Sequence, residues 1–233
     1  MQEEARLAIH STSEIVILSP TGTGKTLAFL LPIIAELDKD STEVQALIIT
    51  PTRELTIQIE QVIREMGTGY KVDTAYGGGR SFSKDKTAFK HRPAILVGTP
   101  GRVAAHLRRT TFEVDSIKTL VLDEADLMLD MGFIEDVKRI EELCPRKKQT
   151  LLFSATMPAK IEELAKSMLY SPEKIIIAPS GSTSKNIGQL LYYVPKRNKT
   201  DLCLHLLRNE IHGKIIIFRR TKIGVDKFEL LLN

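Results

Sequence analysis

A chain of 233 residues has room for one full domain and part of another, and its 42% hydrophobic and 27% charged content can build a core without disulfides or metal. Thirty-three Lys and Arg against 29 Asp and Glu leave a net charge of +4, a mild basic excess compatible with nucleic acid but too small to identify it. No apolar run reaches the ~18 residues of a membrane span, no signal peptide opens the chain, and the two cysteines, Cys144 and Cys203, lack metal-ligand spacing, so a reduced, soluble, cytoplasmic protein is expected, a nuclear one not being excluded.

In chain order, a first helix is expected at 3–10. Short apolar strands follow at 15–18, 46–50, 72–76, 94–97, 120–122, 150–153 and 174–177. Between them, helical periodicity marks 27–37, 54–66, 102–107, 135–143 and 161–168. Strands without polar alternation are buried on both faces, so the pattern predicts a doubly wound α/β domain: a mostly parallel sheet, helices on both faces, ligands at the carboxyl ends of the strands. Residues 180–186 hold no large apolar side chain and read as a linker. It separates a first domain, 1–179, from the start of a second α/β domain, 187–233, with expected strands at 189–194 and 214–218, a helix at 200–207 and a last helix running to 233.

The first strand runs into Ser19-Pro-Thr-Gly-Thr-Gly-Lys-Thr26, and an apolar-periodic helix runs out. A strand, a glycine-bearing turn and a helix N-terminus converge backbone N–H groups on one point, where the helix dipole favours an anion. Thr21, Gly22, Thr23 and Gly24 would then wrap a nucleotide's phosphates. Lys25 would reach the β- and γ-phosphates, and the Thr26 hydroxyl would ligate Mg²⁺. The pattern G-x-x-x-x-G-K-[ST] is met except at its first position, where Ser19 stands.

A phosphate loop needs a second metal anchor and a group that orients water. Asp123 and Glu124 emerge together at the end of the strand 120–122 and supply both; the competing reading is an acidic first turn of a helix. The basic run Arg146-Lys147-Lys148 reads as a solvated loop, and the five histidines show no metal spacing.

Asp123-Glu-Ala-Asp126 resembles the sequence that names the DEAD-box RNA helicases, and its surroundings resemble that family too. Leu-Met-Leu-Asp-Met-Gly-Phe133 follows it and Ser154-Ala-Thr156 follows the next strand. Pro51-Thr-Arg-Glu-Leu55, Tyr76-Gly-Gly78 and Thr99-Pro-Gly-Arg102 lie upstream in family order. The resemblance covers residues 2 to about 220. It implies a RecA-like ATP-binding domain, ATP and Mg²⁺ as cofactors, and single-stranded or short duplex RNA as partner. Lys25 and Glu124 would be catalytic, Glu124 activating the hydrolytic water, with Asp123 a metal anchor acting through water. Gln2 would read the adenine edge, or is an ordinary helix-start glutamine; the family's upstream aromatic has no counterpart here.

The resemblance further implies backbone RNA contacts, without base identity, from Pro51, Thr52, Arg53, Gly77, Gly78, Thr99, Pro100, Gly101 and Arg102. Thr52 and Thr99 could equally be helix caps, and either arginine an internal ion pair. Asp126, Ser154 and Thr156 would couple nucleotide state to RNA binding. The family's second-domain arginines do not occur in this sequence, so a form with poor turnover is expected. The expected function is that of an ATP-dependent RNA helicase, hydrolysing ATP to unwind RNA or remodel its complexes; the alternatives are an ATP-gated RNA clamp or scaffold and a P-loop ATPase acting on protein or DNA.

Overall fold

The computed structural model describes residues 8, 9, 11–20, 24–78, 81–177 and 188–232. The chain divides into two compact units, Met1–Ser182 and Thr183–Asn233. The expected first helix lies almost wholly outside the described residues, as do Gln2, Thr21, Gly22, Thr23 and the linker 180–186.

In the first unit, seven strands form one sheet: β1 Glu14–Leu18, β2 Ala46–Ile49, β3 Val72–Ala75, β4 Ile95–Gly98, β5 Thr119–Leu122, β6 Gln149–Ser154 and β7 Glu173–Ile176. The order is β3-β4-β2-β5-β6-β1-β7, and every pairing is parallel. Helices α1 Lys25–Glu36, α2 Arg53–Glu65, α3 Phe82–Phe89, α4 Pro100–Leu107, α5 Ala125–Asp130, α6 Ile134–Leu143 and α7 Ala159–Met168 alternate with them.

The two-residue repeat of each strand sorts its side chains into two cores. Ile15, Ile17, Ile48, Ile95, Val97, Val121 and Phe153 face Phe29 and Ile33 of α1 and Ile59 and Ile63 of α2. Val16, Leu47, Ile49, Leu96, Leu120, Leu122 and Leu152 face Val103 of α4, Val137 and Ile140 of α6 and Ile161 of α7. Both faces of the sheet are therefore covered, which is why the central strands read as unbroken apolar runs. Phe29 and Phe153 are fully buried with ring centroids 5.2 Å apart, and truncating either to Ala would cost about 3–5 kcal/mol.

Local chemistry starts the helices where the strands end. The Thr52 hydroxyl caps α2, accepting from Leu55 N at 3.2 Å, and Ser81 caps α3, accepting from Lys84 N at 3.3 Å. Pro100 opens α4 at the first helical position, where its missing N–H costs nothing. Gly98 ends β4 so close to its neighbours that a Cβ there would stand 2.5 Å from Val103 Cγ2 and 2.6 Å from the Ala75 carbonyl oxygen. Only glycine lets the β4–α4 turn lie down on β3.

The second unit contains α8 Lys199–Asn209 and α9 Lys222–Glu229, preceded by a single 3₁₀ turn at Lys196–Asn198. The strands expected at 189–194 and 214–218 do not form among the described residues. A strand is stabilised by a ladder on its edge and cover on its faces. Here Leu190, Tyr193, Ile216 and Phe218 are more than three-quarters exposed, and Phe228 of α9 is the buried apolar side chain of the unit among the described residues. The basic run also departs from expectation: the Lys148 side chain is buried, its Nζ 2.8 Å from Glu141 Oε1.

Candidate nucleotide and nucleic-acid site

The carboxyl ends of β1 and β5 flank β6, and this places the two halves of the expected nucleotide site side by side. Leu18 is in register with Ser154 on β6, and Ser19 N donates to the Ser154 carbonyl at 2.9 Å. On the other side of β6, Leu122 pairs with Leu152, and Asp123 N donates to the Ile49 carbonyl at 2.9 Å. Gly24, Lys25, Thr26, Asp123 and Glu124 thereby line one open cavity of about 350 Å³, together with Leu55 and Gln58 of α2.

Gly24 takes a left-handed conformation (φ 83°) as the residue before α1, turning the helix N-terminus into the cavity. Lys25 is buried, and its Nζ donates to the Ser19 carbonyl at 2.8 Å. That ammonium is already held at the root of the loop, where a phosphate oxygen can take the place of the carbonyl. Asp123 is 3% exposed, and its Oδ1 has no hydrogen-bond partner among the described residues. Burial pushes its carboxyl up to about 6 against the pull of Lys25. A buried carboxylate oxygen without a donor, beside a threonine hydroxyl, fits an oxygen-ligated Mg²⁺ that keeps most of its waters.

Glu124 adopts the left-handed conformation at φ 56° and ψ 53°, which costs a non-glycine residue of order 1 kcal/mol. Its side chain makes no cap bond to α5 among the described residues, although it occupies the cap position. Asp123 and Glu124 both line the cavity.

Asp126, in the first turn of α5, is tied to the end of β6. Its Oδ2 accepts from Thr156 N at 2.9 Å and from Thr156 Oγ1 at 2.8 Å. Asp126 N donates to Ser154 Oγ at 3.3 Å, and that hydroxyl donates to the Thr156 carbonyl at 2.7 Å. Burial of Asp126 opposes ionisation, but the hydrogen bonds from Thr156 and Ser154 outweigh it and hold the carboxyl below its ordinary value.

A second group of residues gathers at the ends of β2, β4 and β3. Thr50 N donates to the Gly98 carbonyl at 2.9 Å, and Thr99 N donates to the Ala75 carbonyl at 2.9 Å. Pro51, Thr52, Thr99, Pro100 and Gly101 thus stand on adjacent strand ends, with the N-termini of α2 and α4 opening the same way. Arg53 Nη1 donates to the Gly78 carbonyl at 3.4 Å, joining the start of α2 to the exposed Gly77-Gly78 turn, and its Nε lies 3.6 Å from Glu54 Oε1. Thr99 makes no cap bond among the described residues. Arg102 points inward: Nε and Nη2 both lie 2.7 Å from Oδ2 of the fully buried Asp85.

Sequence reasoning missed α3, Asp85, His106, Gly98, Leu55 and Gln58. Ser81, three residues before the Lys84 amide it caps, was the available signal for α3. Nothing in the sequence marked Asp85 as buried. Among the described residues no group of three or more His, Cys, Asp or Glu forms a metal cluster, and no helix is long and apolar enough to cross a membrane.

An all-parallel seven-stranded sheet covered by helices on both faces, with the Gly24–Thr26 helix start and an acidic pair at the ends of strands flanking β6, has the RecA-like α/β fold. The chain belongs to the DEAD/DEAH box helicase family, whose description matches residues 1–164. It is 42% identical over 221 residues to the "ATP-dependent RNA helicase CshA" of Listeria monocytogenes, covering 94% of this chain and 42% of that protein. It is 40% identical over 233 residues to the "DEAD-box ATP-dependent RNA helicase RhpA" of Helicobacter pylori, covering 100% of this chain and 47% of that protein. Among solved structures, a DEAD box protein from the hyperthermophile Methanococcus jannaschii matches with a TM-score of 0.71 and 35% identity, over 99% of this chain and 62% of that one. The chain spans less than half the length of these curated relatives.

Proposed function

We propose that this chain carries the ATP-binding and part of the RNA-binding machinery of an ATP-dependent RNA helicase. In this reading residues 1–179 form the RecA-like domain, 180–186 the linker and 187–233 the start of a second such domain. The observation that carries it is the cavity in which Lys25 and Thr26 face Asp123 and Glu124 across the end of β6. Both relatives above are named as ATP-dependent RNA helicases, which supports assigning ATP and RNA to this chain.

Lys25 leaves the Ser19 carbonyl for the β- and γ-phosphates, while backbone N–H groups of the loop and the start of α1 hold the remaining oxygens. The Thr26 hydroxyl and Asp123 would hold Mg²⁺, which would supply positive charge to neutralise the phosphates. Glu124 orients the attacking water and takes its proton. Pro51, Thr52, Arg53, Gly77, Gly78, Thr99, Pro100 and Gly101 receive the sugar-phosphate backbone, a mode that holds RNA without reading its bases. Gln2 is assigned to the adenine. Ser154, Thr156 and Asp126 pass the state of the first site toward the second, and a cytoplasmic location fits the bacterial relatives.

The test is RNA-stimulated ATP hydrolysis by the full-length protein containing this chain, with single-stranded RNA and DNA compared. RNA stimulates in this account, and Glu124→Gln lowers the stimulated rate by about 10²–10⁴-fold while ATP-dependent RNA binding persists. Hydrolysis indifferent to RNA, or a Glu124→Gln rate equal to wild type, contradicts it. Hydrolysis-coupled binding without strand separation would assign the clamp instead of the helicase.

A further inference from the structure

The side chain of Arg102 belongs to a closed cluster between α3 and α4. Asp85 of α3 is fully buried, and one of its oxygens, Oδ2, meets Arg102 Nε and Nη2 at 2.7 Å each and His106 Nε2 at 3.0 Å. Arg102 and His106 are four residues apart and share one face of α4. His106 is fully buried as well, with Nδ1 2.8 Å from Thr111 Oγ1. Phe82, at the start of α3, lies flat on the His106 ring with centroids 3.9 Å apart. The Arg102 guanidinium carbon is 5.0 Å from the centre of the same ring, and that of Arg109 is 4.3 Å from it. The Arg102 side chain retains only 17% of its exposure.

Resting on the RNA reading above, we infer that Arg102 and Asp85 are positioning residues for the Thr99–Gly101 helix start, with no phosphate held by the Arg102 guanidinium. A phosphate oxygen would have to draw the guanidinium from a buried carboxylate that engages two of its nitrogens, and would leave that carboxylate charged in the core. Kept in place, the ion pair fixes α4 against α3 at its first turn. This sets the direction in which the Gly101 N–H points, Pro100 having none and the Arg102 and Val103 amides donating to the Thr99 carbonyl. RNA then meets the backbone of the helix start, and Arg102 acts on it from behind.

The experiment is a salt titration of RNA binding by the full 233-residue chain, using a fluorescein-labelled oligouridine and anisotropy, with binding of a fluorescent ADP measured on the same samples. Arg102→Gln and Asp85→Asn are expected to weaken RNA binding about tenfold each, the loss on breaking a charged hydrogen-bonded pair. The double variant is expected to bind no more weakly than Arg102→Gln. The slope of log K against log salt stays at the wild-type value and ADP affinity is unchanged. Arg102→Lys keeps the charge but not the two-nitrogen grip, and is expected to weaken binding as Arg102→Gln does; it decides the question even where Asp85→Asn does not fold.

A slope reduced by about 0.7 in Arg102→Gln, the loss of one phosphate contact on a single strand, overturns the inference. So does wild-type affinity in Arg102→Lys, or a parallel loss of ADP binding in the variants. Absence of RNA binding by the wild-type chain removes the RNA reading and the inference together, which separates that failure from the others.

Discussion

Asp126 Oδ2 accepts two hydrogen bonds from Thr156, from its backbone N at 2.9 Å and its hydroxyl at 2.8 Å, so the helix that follows Asp123 and Glu124 is tied to the loop that follows β6. That loop begins at Ser154, whose carbonyl accepts from Ser19 N at the root of the phosphate loop. Both edges of the cavity are therefore joined to the same short segment. Thr156→Ala deletes one of the two bonds and is expected to cost about 1 kcal/mol of stability. Nucleotide affinity is expected to persist while RNA stimulation of hydrolysis in the full-length protein falls. Equal RNA stimulation in variant and wild type, measured by phosphate release, would show that the segment only braces the fold.

Lys25 supplies the ammonium in the cavity, and Lys25→Ala leaves the backbone N–H groups of the helix start intact. Charge-assisted hydrogen bonds of this kind contribute about 1.5–3 kcal/mol, so ATP and ADP affinity should fall about 10- to 100-fold. Titration with fluorescent nucleotide measures it, and superimposable curves for the two proteins would refute the phosphate-loop assignment.

His106 makes stability depend on pH. Burial lowers its pKa below 6.5, outweighing the attraction of Asp85, and the Arg102 and Arg109 charges lower it further. The unfolded chain binds this proton more readily than the folded one. The stabilisation is therefore complete above pH 6.5 and is lost as pH falls from there through the folded-state value. Urea denaturation at decreasing pH should show the wild type losing more stability over that window than His106→Gln. Parallel pH profiles would remove His106 as the source.

Most of the sheet was legible because its strands are buried on both faces and so stand out as short apolar runs between helical periods. The Gly24–Thr26 turn and the Asp123–Asp126 segment stood out in the sequence because the chemistry proposed for them constrains residue type at fixed spacing, and the structure brings Gly24, Lys25, Thr26, Asp123 and Glu124 to one cavity. Helix α3 was not: Phe-Ser-Lys-Asp-Lys-Thr-Ala-Phe holds three charges in eight residues, and one of them, Asp85, is buried where Arg102 and His106 meet it from another helix. Such a pairing is a tertiary fact without a local signature. The same reason governs the second unit, where 189–194 and 214–218 carry strand-like composition but a strand exists only with a neighbour to bond. Arg102 illustrates the limit: an RNA contact and an internal ion pair were both open in the sequence, and only the structure shows its guanidinium on Asp85.

The two cysteines separate cleanly by environment. Cys144 is buried at the end of α6, and burial pushes its thiol up to about 12, despite the nearby Lys148. Cys203 on α8 is partly exposed. Iodoacetamide at mildly alkaline pH should label Cys203 in the folded chain and Cys144 only in denaturant, as peptide mass spectrometry would resolve. Comparable labelling of Cys144 under native conditions would mean that the α6 end opens on the reagent's timescale.

The central claim is that one rim of the sheet holds two ligands side by side, nucleotide at the ends of β1 and β5 and RNA at the ends of β2, β3 and β4. Amide chemical shifts of the isotope-labelled chain, followed during separate titrations with Mg²⁺–ADP and with oligouridine, test this most directly. The account predicts that nucleotide moves the Gly24–Thr26 and Asp123–Glu124 amides. Oligouridine should move Thr52, Arg53, Gly77, Gly78, Thr99 and Gly101, and Ser154 and Thr156 should respond to nucleotide as the shared segment. Oligouridine shifts centred on the phosphate-loop cavity, or away from the strand ends altogether, would contradict it.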